Sequence, residues 1–164
     1  MKLLSTLTAA ATVASMTVAS AHADALVFEA YLDGLQVVPP VPTTGSGTFT
    51  ITLDTATNTL SNASGSYSGL IGNVLNASVQ GPAGPGTNGQ AFLFVDPFTL
   101  EIPGGSAVIT QVQAQAMIDG ETYILIRTDF RPGGEIRGQL VLVPTPGTGA
   151  IVALGGLLAV RRRR

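Results

Sequence analysis

Near its start the chain alternates between apolar and polar residues with a period of two, the pattern of a β-strand that packs one face against a core. The segment GTFTITLD, residues 47–54, places Phe49, Ile51 and Leu53 on one side and three threonines on the other. The segment ALVFEAYLD, residues 25–33, repeats the pattern. A helix would scatter these apolar residues around its surface, so the pattern predicts strands.

Further short strands are predicted along the chain, in TLSNASGSYSG, NVLNASV, AFLFV, ETYILIRTD and EIRGQLVLV. Turn material separates them, and the 20 glycines and 10 prolines of the chain fit many tight reversals. About eight short strands at this spacing favour an all-β fold, an antiparallel β-sandwich.

One short helix is predicted in TQVQAQAMIDG. Thr110 and Gln113 have the spacing of a capping box, and Asp119 with Gly120 ends the helix. Its apolar stripe is expected to comprise Val112, Gln115 or Ala116, Met117 and Ile118.

Residues 1–23 read as a signal peptide, with Lys2, an apolar run and the cleavage motif Ala21-His22-Ala23. A retained N-terminal anchor is the alternative. Cleavage makes Asp24 the first mature residue and removes His22, the single histidine, from a chain that has no cysteine. A mature protein of this kind has no disulfide, no Ser-His-Asp triad and no Cys or His metal ligands, so no cofactor is expected.

Residues 144–164 form a second targeting segment, with a proline pair, an apolar stretch over residues 147–160 and a terminal cluster of Arg161, Arg162, Arg163 and Arg164. As a helix the stretch is about 20 Å long against a bilayer core of about 30 Å, which suits a transient membrane contact. The arginines favour a cytoplasmic end during export. A last strand followed by a basic tail is the alternative.

The tail resembles the PEP-CTERM type of bacterial sorting signal through Pro144, Pro146, the apolar stretch and the arginine cluster. Thr145 stands where that motif has Glu. The resemblance implies processing by signal peptidase and an exosortase-like membrane enzyme, and delivery to the cell surface or extracellular matrix.

The segment between these ends, residues 24–143, is acidic. It contains three arginines and ten acidic residues, a net charge of about −7. Such a domain is not expected to bind nucleic acid.

The stretch DFRPGGEIRGQL, residues 129–140, reads as a turn that leads into a strand. Pro132 fixes one φ angle, and Gly133 and Gly134 are expected to supply positive ones. Glu135 and Arg137 then share one side of the strand. On that side they are expected to be surface charges that pair with the neighbouring strand, at Arg127 or Asp129. Ile136 and Leu140 point to the core, and Gly138 leaves room for a neighbouring backbone.

This body resembles the CHRD domain, through VVPPVPTTGSGTFTITLD, GPAGPGTNGQAFLF, TQVQAQAMIDGETYILIRT and PGGEIRGQL, which together span residues 25–143. The resemblance implies an immunoglobulin-like β-sandwich without enzymatic activity. It also implies a structural role for the motif residues Gly81, Pro82, Pro132, Gly133, Gly134, Glu135, Ile136, Arg137 and Gly138.

The chain departs from the family at Ser78-Val79-Gln80, where the family commonly carries His-Ile-His. Serine and glutamine are poor transition-metal ligands, so no metal site is carried over. Carboxylate pairs for glycoside hydrolysis stay open among Asp96, Glu101, Asp119, Glu121 and Glu135.

The sequence therefore predicts an exported, surface- or matrix-associated module without catalysis, which serves a structural role or contacts an extracellular protein or matrix component. A specific ligand-binding module, for carbohydrate or protein, is the alternative, and an unrecognised hydrolase comes third. Sugar binding ranks below protein contact because the chain has no Trp and only 3 Tyr for stacking.

If residues 144–164 are a sorting signal that is trimmed, the mature surface protein is predicted to end near Pro146 and to lack the four terminal arginines. Intact mass of the protein recovered from the cell surface measures this. A full-length C-terminus in the extracellular fraction contradicts the sorting signal, and persistence of the whole tail in membranes indicates a simple anchor.

Overall fold

In a computed structural model of the chain, residues 25–144 are described. They form nine strands and one helix: β1 Ala25–Asp33, β2 Ser46–Asp54, β3 Thr59–Ser68, β4 Val74–Gln80, β5 Ala91–Val95, β6 Ser106–Val108, α1 Gln111–Ile118, β7 Tyr123–Thr128, β8 Ile136–Gln139 and β9 Val141–Leu142. The predicted signal peptide and the tail beyond Pro144 lie outside the described residues.

The strands pair in one antiparallel sheet of order β5-β4-β7-β8-β1-β2-β3-β6, with β9 also paired to β1. The sheet folds over on itself as a nearly closed β-sandwich or barrel. The prediction of an antiparallel β-sandwich with one short helix is confirmed. The structure has nine strands against the expected count of about eight. The seven segments named from the sequence are joined by β6, which had no pattern of its own, and EIRGQLVLV divides into β8 and β9.

Alternation along β1 and β2 places one face of each strand in the core, as predicted. Phe28 pairs with Ile51, and Ala30 with Phe49, so that the apolar residues of the two strands stack in register. The core also receives side chains from β3, β4, β5, β7 and β8, from the helix and from the loop after β5. Its fully buried members include Phe28, Phe49, Ile51, Leu53, Leu60, Leu100, Met117, Ile124, Ile126, Ile136 and Leu140.

The helix begins with the predicted capping box. Thr110 Oγ1 accepts from the Gln113 backbone N–H, and the Gln113 side chain accepts from the Thr110 backbone N–H at 2.8 Å. The predicted apolar stripe is wrong in part, because Val112 is 71% exposed and Ile118 is 39% exposed. The helix packs on the core through Ala114, Ala116 and Met117 instead.

The strands β7 and β8 form the antiparallel hairpin that the sequence predicted, with Ile126 opposite Ile136 and Leu125 opposite Arg137. In its turn only Gly134 adopts a positive φ, of 127°, so the expectation for Gly133 is wrong. Gly138 lies against β1, and a Cβ atom there would stand 2.7 Å from the carbonyl oxygen of Tyr31. The close approach of these two strands therefore requires glycine at this position.

We expect Gly138→Ala to destabilise the protein by about 1–3 kcal/mol, because the added methyl group meets backbone that cannot rotate away. Gly133→Ala is the matched control in the same motif, because nothing lies within 4 Å of its Cβ position. Its effect should stay within about 0.5 kcal/mol. Urea unfolding of the two variants measures the difference, and equal effects would contradict the close packing of β8 on β1.

Candidate functional site

Glu135 immediately precedes β8, and its side chain is fully buried, at 0% exposure. Its Oε1 accepts hydrogen bonds from Thr43 Oγ1 at 2.7 Å and from the backbone N–H of Ile71 at 2.6 Å. Its Oε2 accepts from Thr128 Oγ1 at 2.6 Å and from the backbone N–H of Gly72 at 3.2 Å. One carboxylate thus joins the end of β7 to the segments that lead into β2 and β4.

The pKa of Glu135 lies below its ordinary value of 4.5. Burial alone raises it, but the hydrogen bonds from Thr128, Ile71, Thr43 and Gly72 favour the charged form and together outweigh burial. Glu135 is therefore held as a carboxylate at neutral pH and is not a proton donor.

Arg137 is also buried, at 1% exposure. Its guanidinium donates from Nη1 to the Thr87 carbonyl at 2.6 Å, and from Nη2 to the Gly84 carbonyl at 3.1 Å and Gln139 Oε1 at 3.0 Å. It also stacks on the Tyr123 ring, 3.6 Å from the ring centroid, a cation–π contact. Burial lowers the pKa of Arg137.

The loop over residues 81–90 covers the face of the sheet that carries Arg137 and Tyr123, which is called the outer face below. Besides its two carbonyl contacts with Arg137, it accepts at the Ala83 carbonyl from Gln139 Nε2 at 3.0 Å. Asn88 in turn donates to the Val38 carbonyl at 3.0 Å, which ties the loop to the segment after β1. The glycine- and proline-rich loop is therefore a lid fixed by side chains of β8.

The expected surface position of Glu135 and Arg137 is consequently wrong, and neither pairs with Arg127 or Asp129. Neutral groups contact each of them, as described above. The carboxylate of Asp129 instead accepts from the Asn73 backbone N–H at 2.8 Å and from its side chain at 2.9 Å. The two charges also have separate surroundings: Glu135 accepts from Thr128 and from the segments ahead of β2 and β4, whereas Arg137 donates to the loop over residues 81–90.

Ser78 and Gln80 lie side by side on the same outer face and are 0% and 2% exposed. With its amide nitrogen toward Tyr123, Gln80 donates to Tyr123 Oη at 2.9 Å and to the Gly89 carbonyl at 3.0 Å. Its oxygen accepts from Arg127 Nη2 at 2.9 Å and from Ser78 Oγ at 3.0 Å. A continuous polar network thus extends from Arg127 through Gln80 and Tyr123 to Arg137.

Strand β7 contained the signal for this covered face. Four consecutive residues, Tyr123 to Ile126, are buried, so both faces of the strand are covered. A short uninterrupted apolar run is typical of a strand buried on both sides. Predicting ETYILIRTD only as a strand, without regard to this uninterrupted apolar run, missed the cover.

The remaining motif residues are distributed around this region. Ile136 is fully buried in the core, and Gly81 is buried at the start of the lid loop, where its N–H donates to the Gln90 carbonyl at 2.9 Å. Pro82, Pro132 and Gly133 are exposed. Among the residues of the predicted sorting signal only Pro144 is described, and it is exposed; Pro146, Arg161, Arg162, Arg163 and Arg164 lie outside the described residues.

The candidate carboxylates do not gather in one place. Asp96 and Glu101 line one groove, Asp119 and Glu121 line another beside the helix, and Glu135 is buried apart from both. Within residues 25–144 no group of three or more His, Cys, Asp or Glu side chains could hold a metal ion. In the same range no helix is long and apolar enough to cross a membrane.

Among the carboxylates of the two open grooves, Asp96 has a pKa below its ordinary value. The backbone N–H groups of Thr99 and Phe98 lower it by donating hydrogen bonds to the carboxylate. Each of these bonds is 2.9 Å long. Asp129 also has a lowered pKa, because the side chain and backbone of Asn73 donate to it. A glycosidase needs a carboxyl group with a raised pKa as its acid, and the pKa of Asp96, the one of these two groups among the candidate carboxylates, is shifted the other way.

An apolar groove of about 320 Å³ lies where β9 meets β1, lined by Glu29, Tyr31, Gln139, Val141, Leu142, Val143 and Pro144. Tyr31 is 67% exposed and Val141 is 62% exposed. Val141 pairs with Glu29, which brings it beside Tyr31 two residues further along β1. This Tyr31–Val141 groove is an exposed apolar surface on a domain whose charged motif is buried.

Comparison with protein families gives one match. The family model described as CHRD domain matches residues 28–140. No curated protein and no solved structure matches the chain.

We expect Glu135→Gln to cost about 2–4 kcal/mol at pH 7, because an amide NH₂ group would face donors where the carboxylate accepts. Urea unfolding measures this cost. Glu101→Gln, at an exposed position, is the control and should change stability by less than about 0.5 kcal/mol.

The same bonds predict how stability depends on pH. Since the folded pKa of Glu135 lies below 4.5, its contribution is present above that pH and is lost as the pH falls through the lower folded value. The Gln variant should therefore lose less stability than the wild type between pH 5 and 3, values that span the ordinary carboxyl range of about 4. Parallel stability curves for the two proteins would contradict the role given to the carboxylate.

Proposed function

Because the chain belongs to the CHRD domain family, we propose that it is an exported, non-catalytic module that contacts protein components of a cell surface or extracellular matrix. CHRD is in general a non-enzymatic family of extracellular or secreted proteins. Export by the N-terminal signal peptide, and a PEP-CTERM-like tail trimmed by an exosortase-like enzyme, belong to the same proposal.

The observation that carries the proposal is the burial of the charged motif. Glu135 and Arg137 would be the natural acid and cation of an active site, yet both are at most 1% exposed and bonded to neutral groups of the fold. Catalysis requires a group that can reach a substrate. The motif therefore supports a structural role, and contact must use other surfaces.

The Tyr31–Val141 groove offers such a surface. Exposed aromatic and aliphatic side chains beside one another are typical of protein contact sites, since burying them on binding removes apolar area from water. Tyrosine adds a rigid ring with a polar end, which suits an interface that forms between soluble partners. Thr48 of β2, which is exposed and pairs with Tyr31, adds a polar position beside the ring.

We expect the full chain to be retained by extracellular matrix from its own cells, and protease treatment of that matrix to abolish the retention. The double variant Tyr31→Ser, Val141→Ser should bind at least about tenfold more weakly, a loss of about 1.4 kcal/mol. Val108→Ser is the control, since Val108 is 77% exposed on β6, away from the groove. Retention is measured as the bound fraction of labelled protein against protein concentration.

Retention that survives protease and is lost on polysaccharide digestion would support the carbohydrate-binding alternative. Equal losses in the groove variant and the Val108 variant would show that the groove is not the contact surface.

A further inference from the structure

Arg127 on β7 stands at the accessible end of the polar network and is partly exposed, unlike Arg137. Its Nη1 donates to Asn76 Oδ1 at 3.2 Å and to Ser78 Oγ at 3.4 Å. Its Nη2 donates to Gln80 Oε1 at 2.9 Å. Three side chains of β4 therefore fix the plane of its guanidinium.

The atoms that contact Arg127 are all neutral oxygens. A guanidinium carries five N–H groups, and these three contacts leave the Nε–H and one Nη2–H without a partner among residues 25–144. The Nε and Nη2 atoms share one edge of a guanidinium, and that edge binds a carboxylate with two parallel hydrogen bonds. Among residues 25–144 no carboxylate pairs with Arg127, although residues 24–143 contain ten acidic residues and only three arginines.

Two of the side chains that bond to Arg127 are themselves buried, so the arginine is held by a fixed part of the fold. Ser78 is 0% exposed and donates to Gln80, and Gln80 is 2% exposed and donates to Tyr123. A side chain fixed before binding loses little conformational entropy when a ligand arrives. Arg127 is therefore oriented in advance, whereas an ordinary surface arginine samples many rotamers.

Two exposed apolar residues occupy neighbouring positions of the sheet. Phe94 of β5 pairs with Ser78 and is 58% exposed. Leu75, beside Asn76 at the bulge of β4, is 54% exposed. Arginine and aromatic side chains are the residues enriched at protein interfaces, and a carboxylate carried by a polypeptide brings aliphatic neighbours that can cover Phe94 and Leu75.

We infer that Arg127, with Asn76, Phe94 and Leu75 around it, is a binding site for a carboxylate side chain of a partner protein, an acidic residue flanked by apolar ones. The site lies on β4, β5 and β7, whereas the groove of the proposed function lies on β1 and β9. The two surfaces can therefore succeed or fail independently.

The test follows the arginine Nε–H resonances of the isotope-labelled full chain by NMR, with the Arg127 signal assigned through Arg127→Lys. The probes are the capped peptide acetyl-Leu-Glu-Leu-amide, its counterpart with glutamine in place of glutamate, and trigalacturonate. We expect the glutamate peptide to shift the Arg127 Nε–H saturably and the glutamine peptide to leave it unchanged. Arg131 is the internal control, because it is exposed and its guanidinium lies over the neighbouring Phe130 ring, 5.0 Å from the ring centroid.

Two variants extend the test. Arg127→Lys keeps the charge but loses the planar edge, so the affinity for the glutamate peptide, measured through the Phe94 and Leu75 amide signals, should fall about tenfold. Arg131→Gln changes the net charge by one unit and should alter that affinity less than about twofold.

An unmoved Arg127 signal, or equal shifts at Arg127 and Arg131, overturns the site. A response to trigalacturonate alone overturns the protein partner in favour of an acidic polysaccharide. The two proposals are tested separately. Matrix retention in the groove variant tests the proposed function, and the Arg127 response to the glutamate peptide tests this inference.

Discussion

The carboxylate of Glu135 is the contact on which the rest of the structure depends. It lies at the start of β8 and accepts from Thr128 at the end of β7, from Thr43 ahead of β2, and from Ile71 and Gly72 ahead of β4. These segments are far apart in sequence and come from both halves of the sheet. A buried charge is costly unless every lone pair finds a donor, and here the donors are supplied by chain segments that must meet for the fold to close.

Arg137 is a buried positive charge, and carbonyl groups stabilise it. Its guanidinium is covered by the lid loop and satisfied by the carbonyls of Gly84 and Thr87 and by the Tyr123 ring. No carboxylate contributes, so the positive charge is stabilised by dipoles and a ring face. A loop without regular structure of its own is thereby held in one conformation over the sheet.

These two residues change what the charged motif means. A pair of opposite charges two positions apart resembles an active site. In this fold, however, each charge forms hydrogen bonds that join distant chain segments. What remains at the surface is of another kind: an apolar groove between β1 and β9, and Arg127, a partly exposed arginine on the network that also holds Arg137. Both are suited to contact with a partner, and the family to which the chain belongs is in general non-enzymatic.

The sequence by itself determined where most of the strands lie, the core side of β1 and β2, the capping box at Thr110 and the β7–β8 hairpin. Each of these follows from local spacing, because a period of two or a cap three residues away is visible within one segment. It could not determine that Glu135 and Arg137 are buried. Alternation tells which side of β8 a residue faces, but whether that side is covered depends on the loop over residues 81–90 and on Thr43, Ile71 and Gly72. Only the tertiary structure brings those groups to the motif, since they lie some fifty to ninety positions away in the chain.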